Sequence, residues 1–303
     1  MIAVELFVVL LFIFLGARIG GIGIGFAGGA GVIALSLILG VPTSQSFIPI
    51  DVILIIMSVI TAIAAMQVAG GMDWLVQIAE NFLRKHPERI TFYAPIVTFV
   101  MTLMAGTGHT AFSTLPVIAE VAKGQGVRPS RPLSIAVVAS QIAITASPIS
   151  AAVVAFAAML APFGVDYLTL LMVCIPTTFI ACMVGAVVAN YMGSELKDDP
   201  VYQERLEKGL IKLATEEKRE ILPTAKRATY IFLAAIGFVV CYAAAISSSV
   251  GLIENPALGR NEAIMSVMLA AAAAIVMFTK IDAAKISSAP TFRSGMTACV
   301  CVL

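Results

Sequence analysis

An all-α polytopic membrane protein is predicted from three features of this 303-residue chain. Hydrophobic residues make up 60% of it and charged residues 12%, whereas a soluble domain is nearer half apolar and a quarter charged. The charges are segregated: none falls in 19–50, 90–119, 132–165 or 167–194, and a charge-free apolar run of about 18 residues is already a membrane-span candidate. Polar residues and helix breakers interrupt two of these runs, at Gly106–His109 and around Pro148, so not every span is a simple helix. This composition excludes a soluble enzyme, a nucleic-acid binder and a secreted domain.

Residues 2–17 form the first apolar helix, with Glu5 near its outer end. No Lys or Arg precedes it, so it reads as an uncleaved helix with an outward N-terminus rather than a signal peptide. Arg18 separates it from 19–40. The glycines from Gly16 to Gly31 recur there at small-xxx-small spacing, which permits close helix contact. Gly23-x-Gly25-x-x-Gly28 matches the dinucleotide fingerprint in letters only, because it lies inside an apolar helix with no strand before it. Further runs follow at 50–70, 91–118, 133–160, 168–190, 229–247 and 263–279. A final run, 295–303, is far short of the roughly 20 residues a span needs, so the chain is expected to be C-terminally truncated within a helix.

Lys and Arg concentrate in cytoplasmic loops, and this fixes the path. If every run crosses once, neither starting side gathers the basic loops together. If 91–118 is instead a re-entrant hairpin that leaves on the side it entered, all of the 19 Lys and Arg except Arg260 lie inside. The N-terminus is then periplasmic. The predicted organisation is a first transmembrane repeat at 1–190 with five spans and the hairpin, a charged cytoplasmic connector at 191–228, and the start of a second repeat at 229–303.

Ala105-Gly-Thr-Gly-His-Thr-Ala-Phe-Ser-Thr-Leu-Pro116 is dense in polar groups for the middle of an apolar run. Such groups are costly at depth and usually functional, and non-helical backbone there must be covered by protein or line a cavity. Gln141-Ile-Ala-Ile-Thr-Ala-Ser147-Pro148-Ile-Ser150 is a second break, since proline frees a carbonyl upstream. Transporters set discontinuous helices around a midplane substrate. Gly106, Thr107, Gly108, His109, Thr110, Ser147, Pro148 and Ser150 are therefore the expected substrate-binding residues. The glycines and proline set the breaks, while the hydroxyls and imidazole touch substrate. No catalytic residues, cofactor or metal site are expected. The chain has only His86 and His109, and its five cysteines lie in apolar segments.

Phe14-Leu-Gly-Ala-Arg-Ile-Gly-Gly21, Met66-Gln-Val-Ala-Gly-Gly-Met-Asp73, Gly106-Thr-Gly-His109 with Leu115-Pro-Val-Ile118, Ile144-Thr-Ala-Ser-Pro-Ile-Ser150 and Thr291-Phe-Arg-Ser-Gly-Met296 occur in this order along the whole chain. Together they resemble the anaerobic C4-dicarboxylate transporters of the Dcu family, the A-type members most. The resemblance implies a bacterial inner-membrane carrier of fumarate, succinate, malate and aspartate, working by uptake or exchange in anaerobic metabolism. It also implies inverted repeats like those of the ion-transporter superfamily, each with a re-entrant hairpin and a broken helix. The second repeat would be incomplete here, and the chain is expected to be inactive alone. The implied partners are C4-dicarboxylate anions and the lipid bilayer, with a homodimer left open and no nucleic acid. A cation-coupled exchanger or another organic-anion carrier is the alternative. An intramembrane enzyme would have only Ser113 beside His109 to work with.

Overall fold

The computed structural model describes residues 2–42, 44, 48–208, 221–247 and 250–302, with every side chain among them except those of His109, Thr110, Ala151, Ala158, Ala161 and Val302. The described residues form helices joined by turns and loops, without strands.

Helix α1 (Ile2–Ile19) turns at Gly20–Gly21 into α2 (Gly23–Ile33), which ends in a π-turn at 34–38. Both turn glycines have positive φ, a conformation that costs residues with a Cβ. The two helices run antiparallel. Gly16 lies against Ile24 and Ala27, and Gly31 against Phe12, as their spacing predicts. The fingerprint glycines Gly23, Gly25 and Gly28 all sit within α2.

Helix α3 (Ile50–Val68) is followed by α4 (Gly71–Lys85), a helix that long apolar runs do not reveal. Its polar Asp73, Gln77, Glu80 and Arg84 recur on one side, while Met72, Val76, Ala79 and Leu83 are buried on the other. Gly70 joins them at φ +81. A Cβ on Gly71 would lie 2.7 Å from the Thr229 hydroxyl. This motif is therefore a tight corner.

The run at 91–118 is not one helix. It divides into α5 (Ile90–Ala105), the single turn α6 (His109–Phe112) and α7 (Leu115–Gly124). At 1.5 Å per residue, α5 rises only about 24 Å, less than a hydrocarbon core of about 30 Å. The chain then folds back. Val117, Ile118 and Val121 of α7 pack in one cluster with Val97 and Met101 of α5. Arg84 at the end of α4 bonds Glu120 of α7 at 3.0 Å. Entry and exit of the segment thus lie at the same end.

The run at 133–160 is also divided. Helix α8 (Ser130–Ile142) tightens into a 3₁₀ turn at 143–146, breaks at 147–150, and resumes as α9 (Ala151–Leu160). Helix α8 lies beside α5 and runs the same way: the Thr98 hydroxyl donates to the Ala136 carbonyl at 2.8 Å, and the Ser147 hydroxyl to the Leu103 carbonyl at 2.7 Å.

Helix α10 (Tyr167–Asn190) leads to the connector, where α11 (Pro200–Glu207) is described. Helix α12 (Ala225–Ala245), α13 (Arg260–Thr279), the short α14 (Ala284–Ser288) and α15 (Pro290–Val302) complete the chain. The predicted last run therefore starts earlier, at Pro290, because Thr291–Ser294 continue the helix. Among the described residues five helices, α1, α3, α10, α12 and α13, are long and apolar enough to cross a membrane. Their outer faces expose large apolar side chains such as Phe7, Ile13, Val173, Ile180, Phe238 and Met277. In water that exposure would be unfavourable by about 25 cal/mol per Å²; in hydrocarbon it costs nothing.

The two larger packed groups position the site. Helices α3, α12 and α13 share a core around Ile55, Ile63, Phe232, Ile264 and Ile275. Helices α4, α5, α7 and α8 share another around Val76, Leu83, Ile118 and Ala136.

Candidate functional site

The first break is built by Gly106. It ends α5 at φ +69, and its N–H bonds the Thr102 carbonyl at 2.8 Å. A Cβ there would lie 3.0 Å from the Ile149 side chain, so the residue type is set both by backbone angle and by contact with the second break. Gly108 is different. Its φ is helical, and a Cβ would meet only the end of the Gln141 side chain.

The second break leaves orphan backbone groups at two helix ends, and serine hydroxyls satisfy them. Ser147 donates to the carbonyl of Leu103 in the last turn of α5. Ser150 donates to the Ile144 carbonyl at 2.5 Å and accepts from the Val153 N–H at 3.2 Å. It thereby closes the end of one half-helix and caps the start of the next. The Pro148 carbonyl accepts from the Tyr167 hydroxyl. Ser147 and Ser150 are buried, at 0% and 1% exposure.

A cavity of about 360 Å³ lies where the two breaks meet. Gly106 and Thr107 form one part of its wall, and Ile144, Ile149 and Ala152 another. Ile56, Val59, Ile60 and Ile63 of α3 face them, with Thr291, Ser294, Gly295 and Ala298 of α15. Gly295 permits this approach, since a Cβ would lie 2.1 Å from Ile60. The Thr291 hydroxyl donates to the Gln67 side chain at 2.7 Å. None of these lining residues carries a charge. Among the described residues no cluster of His, Cys, Asp or Glu could hold a metal ion.

Of the predicted site residues, the structure brings Gly106 and Thr107 to the cavity. It puts Ser147, Pro148 and Ser150 in the supporting layer behind it, and Gly108 against Gln141. The side chains of His109 and Thr110, and with them the Ser113–His109 pair, lie outside the described residues. Sequence reasoning missed Thr291 and Ser294 as wall residues. They fall in a quoted motif, but only the tertiary packing of α15 on α3 brings them to the breaks.

A family profile described as an anaerobic C4-dicarboxylate membrane transporter matches residues 1–303. A C4-dicarboxylate transporter DcuA from Wolinella succinogenes is 62% identical over 303 residues, covering 100% of this chain and 70% of the relative. A protein of the same name from Escherichia coli K12 is 52% identical over 304 residues, again covering 100% of this chain and 70% of the relative. One from Serratia marcescens is 67% identical over 134 residues, which is 44% of this chain and 99% of that relative. No solved structure matches. The family match gives the expected C-terminal truncation no support. Five apolar spans, two interrupted helices meeting at an uncharged cavity, and a match along the whole length converge: the chain is a multi-pass membrane protein, not an enzyme, and belongs to the anaerobic C4-dicarboxylate membrane transporter family.

Proposed function

We propose that this protein carries small C4-dicarboxylates such as fumarate, succinate, malate and aspartate across a bacterial inner membrane, by uptake or exchange, with substrate bound in the cavity between the two breaks. The observation that carries the reading is that cavity. Two helix interruptions 41 residues apart, at Gly106 and Ser147, meet at one concavity, and its volume lies at the small end of the usual ligand-pocket range of about 300–1,000 Å³. With no cation in the described wall, an anion is held by backbone N–H groups and hydroxyls, Thr107 first among them, with His109 and Thr110 next along the chain. Ser147, Pro148, Ser150 and Gly106 hold the breaks open.

The path through the membrane follows the basic loops: N-terminus periplasmic, hairpin 91–118 re-entrant from the cytoplasm, connector 191–228 inside. The Arg84–Glu120 contact supports the hairpin. A repeat at 1–190 and a second beginning at 229, in opposite orientation, follow from the odd number of crossings before the connector.

Thr107→Val in the purified chain tests the site. Losing a hydrogen bond to a charged group costs about 1.5–3 kcal/mol, or roughly 10- to 150-fold in affinity. Succinate should stabilise the parent chain against heat and should need at least tenfold higher concentration in the variant. Equal response in both would remove Thr107 from the site; no response in the parent would remove the cavity.

A further inference from the structure

A second cleft, of about 880 Å³, shares no lining residue with the cavity and is formed by the loop between α7 and α8 and by the connector. Three cations from separate stretches line it: Lys123 in the last turn of α7, Arg128 just before α8, and Arg205 on α11. Asp199 is the acidic group in the wall, and it is already engaged. One oxygen meets Arg128 at 3.3 Å, and the other accepts from the N–H groups of Val201 and Tyr202 to cap α11. Lys123 and Arg205 form no ion pair with any described residue.

The wall is held in place independently of any occupant. Arg131, 8% exposed, donates to the Met192 carbonyl at 2.5 Å, the Gly193 carbonyl at 2.6 Å and the Glu195 carboxylate at 2.5 Å. The Leu196 N–H bonds the Gly126 carbonyl at 3.3 Å. Lys123, Arg128 and Arg205 are thus kept around one concavity with positive charge in excess. Basic pockets at the membrane boundary are matched by phosphate headgroups, and Arg is suited to phosphate through its planar fork of donors.

We propose that this cleft binds a phosphate-bearing anion, either the headgroup of an anionic lipid or a soluble phosphate ester, through Lys123, Arg128 and Arg205. Occupancy ties the returning arm of the hairpin to the connector. The site is independent of the dicarboxylate cavity.

The test uses the full chain purified in neutral detergent. Dioctanoyl phosphatidylglycerol, net-neutral dioctanoyl phosphatidylcholine and sn-glycerol 3-phosphate are titrated by thermal shift. Saturable stabilisation by phosphatidylglycerol but not phosphatidylcholine is expected, and a matching response to glycerol phosphate would identify a soluble occupant. Each cation near a membrane surface contributes about 1 kcal/mol, so Lys123→Gln with Arg205→Gln should weaken binding roughly 25-fold. The unliganded melting temperature should not change, because neither side chain holds an ion pair. The charge-keeping pair Lys123→Arg with Arg205→Lys should bind like the parent. Equal response to both lipids with none to glycerol phosphate, or unweakened binding by the Gln pair, overturns the proposal.

Discussion

Gly106 and Gly108, two residues apart in one motif, do different things. Gly106 sits at φ +69 with its α-carbon against Ile149. An alanine there takes on left-handed strain of about 1–2 kcal/mol and pushes the two breaks apart. Gly108 has helical φ, and its near neighbour is the flexible end of Gln141, so alanine there costs little. Thermal unfolding in detergent should show Gly106→Ala clearly less stable than the parent and Gly108→Ala close to it. Ser147 makes a related point. Ser147→Ala leaves the Leu103 carbonyl unpaired at the end of α5, at a cost of about 1–3 kcal/mol. Its melting temperature should fall while succinate affinity in the folded fraction stays within a few-fold. The reverse pattern would mean that the hydroxyl serves substrate directly. That Ser147 belongs to a break was legible from Ser-Pro; which way its hydroxyl turns was not, because Leu103 is 44 residues away.

Among the elements, the charge pattern predicts a hairpin at 91–118, the one path that gathers the basic loops on one side, and what the structure shows of it is a run divided into α5, α6 and α7. Its companion α4 was not legible, because long apolar runs are the wrong signal for a helix that is polar along one face and buried along the other. Arg84 joins the two. It bonds Glu120 at 3.0 Å and Glu80 at 2.9 Å, and the Glu120 contact first, against a lesser cost of burial, then Glu80, raise the guanidinium above its ordinary value. These side chains remain 18–27% exposed, where ion pairs contribute about 1 kcal/mol or less. The pair therefore reports topology more than it stabilises. Single cysteines at Arg84, Lys85, Lys123 and Arg128, in a background without native cysteines, should all resist an impermeant thiol reagent in intact cells and react after lysis. Labelling at 123 and 128 with protection at 84 and 85 would make 91–118 an ordinary span.

At the scale of the whole molecule, the cavity matters because three separate parts of the chain meet there, beside a core that Ile149 of the second break shares with Val59 and Ile63 of α3. Residues of α3 wall it on one side, and the breaks of the α5–α8 group on the other, with α15 closing a third. Alternating access in transporters rocks one bundle against another around a fixed midplane site, and a cavity walled by three separate elements changes its size when any of them shifts. Helix α15 was the least legible part of this arrangement. Its wall residue Thr291 bonds Gln67 across a separation of 224 residues, and local pattern carries no trace of that partnership. It also supplies a test that leaves every polar group in place. Ala298 lines the cavity, so Ala298→Phe projects a ring into open space rather than into a filled core, and the overpacking cost of about 1–3 kcal/mol for a closed site does not apply. The variant should melt within a few degrees of the parent, yet succinate should no longer stabilise it, and its uptake into vesicles should fall to the level of empty ones. Ala298→Ser, which adds one oxygen and little volume, should keep the succinate response. If the phenylalanine variant still responds to succinate like the parent, dicarboxylates bind elsewhere, and the meeting of the two breaks serves packing alone.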